Sequence, residues 1–416
     1  MRSIVIFLFG VLHFINVAAQ PAIGWRGINR DGVYNEKNLL KSWKPEGPEC
    51  LWTTEGIGKG YSSPVISDGV LYVTGMDEDE KFDVLTAFTL DGKMKYKVKF
   101  GSAWRNAFPE TRTTPAVING KVYVISGIGE VVCINASNGD IIWSINGEEK
   151  FGATTTVWGI SESPLVYDNK VIFTPGGFQT AMVALDALTG NTLWTTKTLN
   201  DTCSHTSPLL INHNGIKQIV SLSREYLYGV NPETGQILWK FNDWDFDMSD
   251  GINGVCANTP LYHNGRIFVS NGYEMRSHML ELNKEATNIK LLWRNDSLNV
   301  HTGGMVLVNG TIFASNWIKN NLGDWVAVDW DTGKTHYKTM WEGHSKGSII
   351  TADGMLYCYE ERQGKIALVR PNPEKFDIVS EFKIKQGSGG RWAHPTISNG
   401  VLYVRHGDVL SAYKIK

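Results

Sequence analysis

SSPVISDGVLYV, running from Ser62 to Val73, holds a Ser-Pro step, a short apolar strand, an Asp-Gly turn and a second apolar strand. Both turn residues tolerate positive φ, so an Asp-Gly pair between apolar runs specifies a tight antiparallel hairpin. The same grammar returns as TTPAVINGKVYV from Thr113, ESPLVYDNKVIF from Glu162, TSPLLINHNG from Thr206 and NTPLYHNGRIFV from Asn258. It continues as GGMVLVNGTIFA from Gly303, GSIITADGMLYC from Gly347 and AHPTISNGVLYV from Ala393, which makes eight copies. Their equivalent positions are Pro64, Pro115, Pro164, Pro208, Pro260, Met305, Ile349 and Pro395, recurring every 44 to 52 residues. Periodicity of this length marks a repeat architecture in which each unit buries its apolar face only against its neighbours.

Within a unit a third strand follows, as in VVCINASNG, MVALDALTG and LYGVNPETG, then a fourth that carries an aromatic four residues after the turn glycine. Gly92 precedes Tyr96 by that interval, Gly139 precedes Trp143, Gly190 Trp194, Gly235 Trp239 and Gly333 Tyr337. The unit is therefore a four-stranded antiparallel meander. Eight such units are expected to form an all-β, eight-bladed β-propeller, whose radial packing protects the sheet edges. The outer-strand tryptophans are expected to fill the wedges between blades, where a flat ring buries much area at low entropic cost.

The last copy stops at Lys416 with room for three strands, while Leu51-Trp52 stands near the start as a fourth strand without a unit. The N-terminal strand is thus expected to complete the C-terminal blade and close the ring. Trp25 and the WRGINRDGVY segment are expected to lie alongside as an entry lid.

Residues 1–19 have one basic residue, an apolar run from Ile4 to Ile15 and small residues at Ala18 and Ala19, the plan of a secretory signal. The run is too short to span a bilayer. Residues 20–416 are expected to form the single propeller domain, exported to the periplasm or secreted, monomeric and without a transmembrane segment. A formal charge of −2 from 40 basic and 42 acidic residues gives no field of one sign, which argues against a nucleic-acid partner. The five cysteines have no CxxC spacing and read as buried thiols, with Cys203 and Cys256 the pair best placed for one bridge.

The DALTGNTLW and NPETGQILW strands, the Ser-Pro hairpins and the leading Trp-Arg-Gly with Asn-Arg-Asp-Gly-Val resemble the pyrroloquinoline-quinone-like (PQQ-like) propeller repeat family over residues 25 to 416. That family includes BamB-type assembly proteins and quinone-dependent alcohol dehydrogenases, so the resemblance implies a fold more than an activity. The dehydrogenase sites, as the resemblance implies, combine calcium held by a Glu and an Asn, a catalytic Asp, a neighbouring Arg or Lys, and adjacent cysteines. Glu162, Asn258 and Lys346 match three of these, and Glu162 with Asn258 are the weak metal candidates. His301 stands where the aspartate belongs and no two cysteines are adjacent, so PQQ with calcium is disfavoured.

Propeller ligands sit at the channel mouth, where the innermost strands converge. The polar and aromatic residues ahead of each Pro position are Tyr61, Arg112, Glu162, His205, Asn258, His301, Lys346, Trp392 and His394. This ring is the expected ligand site for a small molecule or saccharide, or for a protein partner. Whether it is catalytic stays open. His205 or His301 would serve as base and Arg112 or Lys346 as electrostatic stabiliser, with Trp104, Trp158 and Trp392 stacking on sugars, as in a polysaccharide lyase. The longer excursions NDWDFDMSDGING and NWIKNNLGDW would cap the mouth or meet a partner.

Overall fold

The computed structural model describes residues 22–244, 256–273 and 275–416. The export segment at 1–19 and most of the NDWDFDMSDGING excursion lie outside the described residues. The rest is a ring of eight blades at 65–102, 116–146, 165–195, 209–241, 261–295, 305–339, 347–383 and 396–414, each a meander in chain order. The eighth supplies three strands, and Glu49–Thr54 pairs antiparallel with Val409–Lys414 to give the fourth, Trp52 standing opposite Ala412. The seventh carries a fifth, Val33–Tyr34, parallel to its innermost strand. One short helix, Gly147–Phe151, links the second and third blades behind an Asn146 cap.

The Ser/Thr-Pro step proves to be the joint between blades. Ser63 N donates to Thr114 Oγ1 at 2.9 Å, Thr114 N to Ser163 Oγ at 3.0 Å and Ser163 N to Ser207 Oγ at 2.9 Å. Each hydroxyl thereby satisfies the amide of the preceding blade. The following Pro has no N–H, which suits the first residue of a strand whose inner edge has no partner strand.

The outer joint is aromatic. Trp52 Nε1 donates to Leu90 O at 2.8 Å, Trp143 to Ala187 O at 3.1 Å, Trp194 to Pro232 O at 3.0 Å and Trp293 to Asp331 O at 3.1 Å, each acceptor lying in the next blade. Their rings lie on the turn glycines Gly92, Gly190, Gly235 and Gly333, which all have positive φ and no room for a Cβ. Trp239 departs from the pattern: its ring lies on Gly229 of its own blade and its Nε1 donates to Gln218 Oε1 at 2.7 Å. Gln218 in turn donates to Ala286 O of the fifth blade, whose turn lacks the glycine, so an amide relays the contact.

All five cysteines are free thiols, four of them buried. The Cys203–Cys256 bridge does not form. Cys203 Sγ instead donates to Thr154 O at 3.1 Å, and the segments meet through a backbone bond from His205 N to Cys256 O.

Candidate functional site

A cup of about 560 Å³ opens where the innermost strands begin. Its wall is built by one register position. The residues three places ahead of each aligned Pro position are Tyr61, Arg112, Ser161, His205, Ala257, Thr302, Lys346 and Trp392, and all of them line the cup. His301 and His394, outside that register, line it too.

Glu162 and Asn258 do not. They lie one place further on, where the side chain turns between blades and ties the strand start to the end of its hairpin partner. Ser62 Oγ donates to Thr74 O at 2.9 Å, and Thr113 Oγ1 bonds Ile125 O in the same way. At the equivalent positions Glu162 accepts from the amide and hydroxyl of Thr174, while Asn258 Nδ2 donates to Ser270 O at 3.1 Å and its Oδ1 accepts from Gly304 N. The register members are their neighbours Ser161 and Ala257, a slip of one residue. Arg112 makes no ion pair with Glu162 and donates to the carbonyl oxygens of Glu110 and Phe108.

The N-terminal segment forms the floor rather than a lid. Arg26 and Arg30 are buried at φ 59 and 58. Arg26 donates to the carbonyls of Ile349 (2.9 Å), Met305 and Asp31 and contacts His394 Nδ1 at 2.8 Å. Arg30 donates to the carbonyls of Ser163 (2.9 Å) and Pro164. Three of these acceptors, Met305, Ile349 and Pro164, are aligned Pro positions, so the two guanidinium groups tie the third, sixth and seventh blades together and leave Trp25, edge-on to His394 at 5.3 Å, on the cup surface. Burial lowers both arginines only to about 10, so they stay cationic at neutral pH.

Aromatic rings cover much of the wall. Tyr61 meets Trp392 with centroids 4.6 Å apart, and Trp158 lies nearly parallel to Tyr273 at 6.2 Å and 11°. Tyr273 also packs on Trp317 at 5.1 Å, and its hydroxyl shares a 2.9 Å hydrogen bond with His301 Nε2. Tyr273 and Trp317 come from loops after the second strand, outside the repeat alignment. A parallel between VSNGY and ASNW, each placing an aromatic soon after Ser-Asn, was the available signal. The NWIKNNLGDW excursion caps the mouth through Trp317, Lys319, Asn320 and Asn321. Trp104 is not part of the cup lining: Gly127 and Gly159 pack against it.

The three histidines are poor bases. Burial first, then the charges of Arg112, Lys346 and Arg26 respectively, lower His205, His301 and His394 to about 3. Lys346 is lowered by burial and held in an ion pair with Glu361. Ser161 Oγ, His301 Nδ1 and Trp317 Nε1 are buried polar atoms of cup-lining residues without a hydrogen-bond partner.

These residues do not fit a calcium-bound quinone. Hard cations take six or more oxygen ligands. Glu162 and Asn258 are not part of the cup lining and have their oxygens engaged, and among the described residues the one carboxylate lining it, Glu361, is paired with Lys346. Among the described residues no cluster of three His, Cys, Asp or Glu side chains could hold a metal ion. No described helix is long and apolar enough to cross a membrane.

The fold is shared widely. BamB from Moraxella catarrhalis superposes with a TM-score of 0.65 at 13% identity, covering 88% of this chain and 99% of that one. Quinohemoprotein alcohol dehydrogenase from Comamonas testosteroni gives 0.65 at 14%, covering 95% and 80%. The computationally designed Ika8 protein gives 0.60 at 12%, covering 88% and 100%, so likeness at this level is one of fold alone. No curated protein sequence matches the chain. The family model described as outer membrane protein assembly factor BamB matches residues 101–339, more than half of the sequence, and the chain belongs to that family of PQQ-like propellers.

Proposed function

We propose that this protein is an exported, monomeric, ligand-binding propeller whose cup holds a saccharide. The observation that carries the reading is the set of broad aromatic faces of Tyr61, Trp158, Tyr273, Trp317 and Trp392 gathered in one cavity with polar side chains. A sugar ring answers both features, with C–H faces for the rings and hydroxyls for polar lining residues such as Arg112, Asn320 and Asn321. Binding is favoured over catalysis because an imidazole whose conjugate acid titrates near 3 takes a proton poorly at neutral pH. This weighs against a lyase, and the engaged Glu162 and Asn258 weigh against a quinone-dependent dehydrogenase. Export to the periplasm or beyond is supported by the leader-like start of the sequence and by family membership.

The test is a panel of neutral and acidic oligosaccharides titrated against tryptophan fluorescence and the thermal midpoint. A ligand of the folded state must raise that midpoint. Trp158→Ala and Trp392→Ala are each expected to weaken the best binder by about tenfold, the worth of one good stacking contact. If no saccharide changes either signal, the reading fails.

A second reading places a protein partner on the same face. It is favoured by Phe108, Val157 and Phe178, which are 53%, 51% and 83% exposed and lie on loops that the meander topology directs to the mouth side. Family membership in an assembly-factor group supports it. Phe178→Glu would abolish such an interaction while leaving saccharide binding intact.

A further inference from the structure

The polar part of the cup is lopsided in charge. Arg112 lines the wall, yet among the described residues it makes no salt bridge. Its guanidinium lies 5.7 Å from the Tyr61 ring centre and donates only to backbone carbonyls, those of Glu110 and Phe108. The Glu110 and Asp83 carboxylates are near enough to favour the charge, but neither forms an ion pair with Arg112, which takes the Glu110 carbonyl instead. A guanidinium carries five N–H donors, so three remain for a ligand. Behind the cup lining, Arg26 and Arg30 are set against carbonyl oxygens, with the Asp31 carboxylate near the first and Glu162 near the second. In the wall the Lys346 charge is cancelled by Glu361.

Fixed cations beneath and beside an apolar cavity create a positive potential that water screens poorly. A neutral sugar would leave the charge of this cup-lining arginine without a counter-ion from the ligand. A carboxylate on the sugar would accept two of them in the planar, paired geometry that arginine offers and lysine does not. Resting on the reading of the cup as a saccharide site, we propose that its ligand is an acidic saccharide, a uronate-bearing oligosaccharide whose carboxylate is read by Arg112 and whose ring lies against the Trp158–Tyr273 shelf.

The experiment compares oligomers of galacturonate, glucuronate and mannuronate with their methyl esters, which keep the ring and remove the charge, by calorimetric titration of the full chain. At least one uronate is expected to bind about tenfold or more tightly than its ester, as a charged hydrogen bond warrants, with a preference that shrinks as salt rises. Arg112→Gln is expected to remove most of the uronate's advantage over its ester. Arg112→Lys, which keeps the charge and loses the fork, should retain only part of the preference, and guards against a variant that misfolds. Equal binding of uronates and esters by the wild type overturns the inference and leaves the saccharide reading standing. Failure of every sugar to bind overturns both, and tighter binding of a planar aromatic acid such as 2-naphthoate transfers the charge reading to another ligand and also overturns the inference.

Discussion

Turn glycines offer a controlled measure of how the blades are held. Gly235 has φ +72, and a Cβ added there would lie 2.6 Å from the Trp194 ring. Gly310 has nearly the same backbone, φ +77, with nothing within 4 Å. Alanine at either site meets the left-handed backbone penalty of about 1–2 kcal/mol. Only Gly235→Ala must also displace an indole, an overpacking cost of about 1–3 kcal/mol, and strain the 3.0 Å bond from Trp194 Nε1 to Pro232 O, worth about 1 kcal/mol. The expected excess is thus about 2–3 kcal/mol. With an unfolding entropy near 2.1 cal/mol/K per residue, a chain of this length loses about 1 °C of Tm per kcal/mol. Scanning calorimetry should therefore show Gly235→Ala about 2–3 °C below Gly310→Ala. Adding Trp194→Ala to each variant should shrink the gap, since the clash needs its ring. Equal losses for the two glycine variants, with or without Trp194, would refute inter-blade docking as the constraint.

Arg26→Met is expected to cost about 3 kcal/mol or more, because the carbonyls of Ile349 and Met305 lose their donor while staying buried; urea unfolding checks it, and a loss under about 1 kcal/mol would mean that the floor is not a structural plug. Burial raises Glu162 to about 8. Its folded value exceeds its unfolded one, so the stability it contributes is complete below about 4.5 and is lost as pH rises through about 8. At about 1.4 kcal/mol per unit this amounts to a few kcal/mol, and Glu162→Gln should flatten the fall in Tm between pH 5 and 9, whereas an unchanged fall would place the titration elsewhere. A thiol reagent should modify Cys50 alone in the native protein and the other four cysteines only after unfolding; rapid native labelling of Cys133 or Cys358 would contradict their burial.

The architecture was legible because its joints are written into the repeat. The Ser/Thr-Pro step supplies both the inter-blade hydroxyl and the missing amide donor, the Gly-to-Trp interval supplies the outer joint, and Leu51-Trp52 betrays the closing strand. The cup was legible only in part. Tyr61, Arg112, His205 and Lys346 sit on the register that faces it, whereas Glu162 and Asn258 sit one place on. Alternation along a strand makes a one-residue slip reverse the direction of a side chain, and a polar type fits either a wet cup or a hydrogen-bonded seam. Arg26 and Arg30 were illegible as a floor because they precede the first repeat, and only the folded ring shows which carbonyls face its axis.

A crystal structure of the protein soaked with the uronate that binds it most tightly tests the central claim most directly. The account predicts the sugar in the cup, its ring against Trp158 and Tyr273 and its carboxylate within hydrogen-bonding distance of Arg112. A sugar seated on the outer rim, with Arg112 still facing only backbone carbonyls, would contradict it.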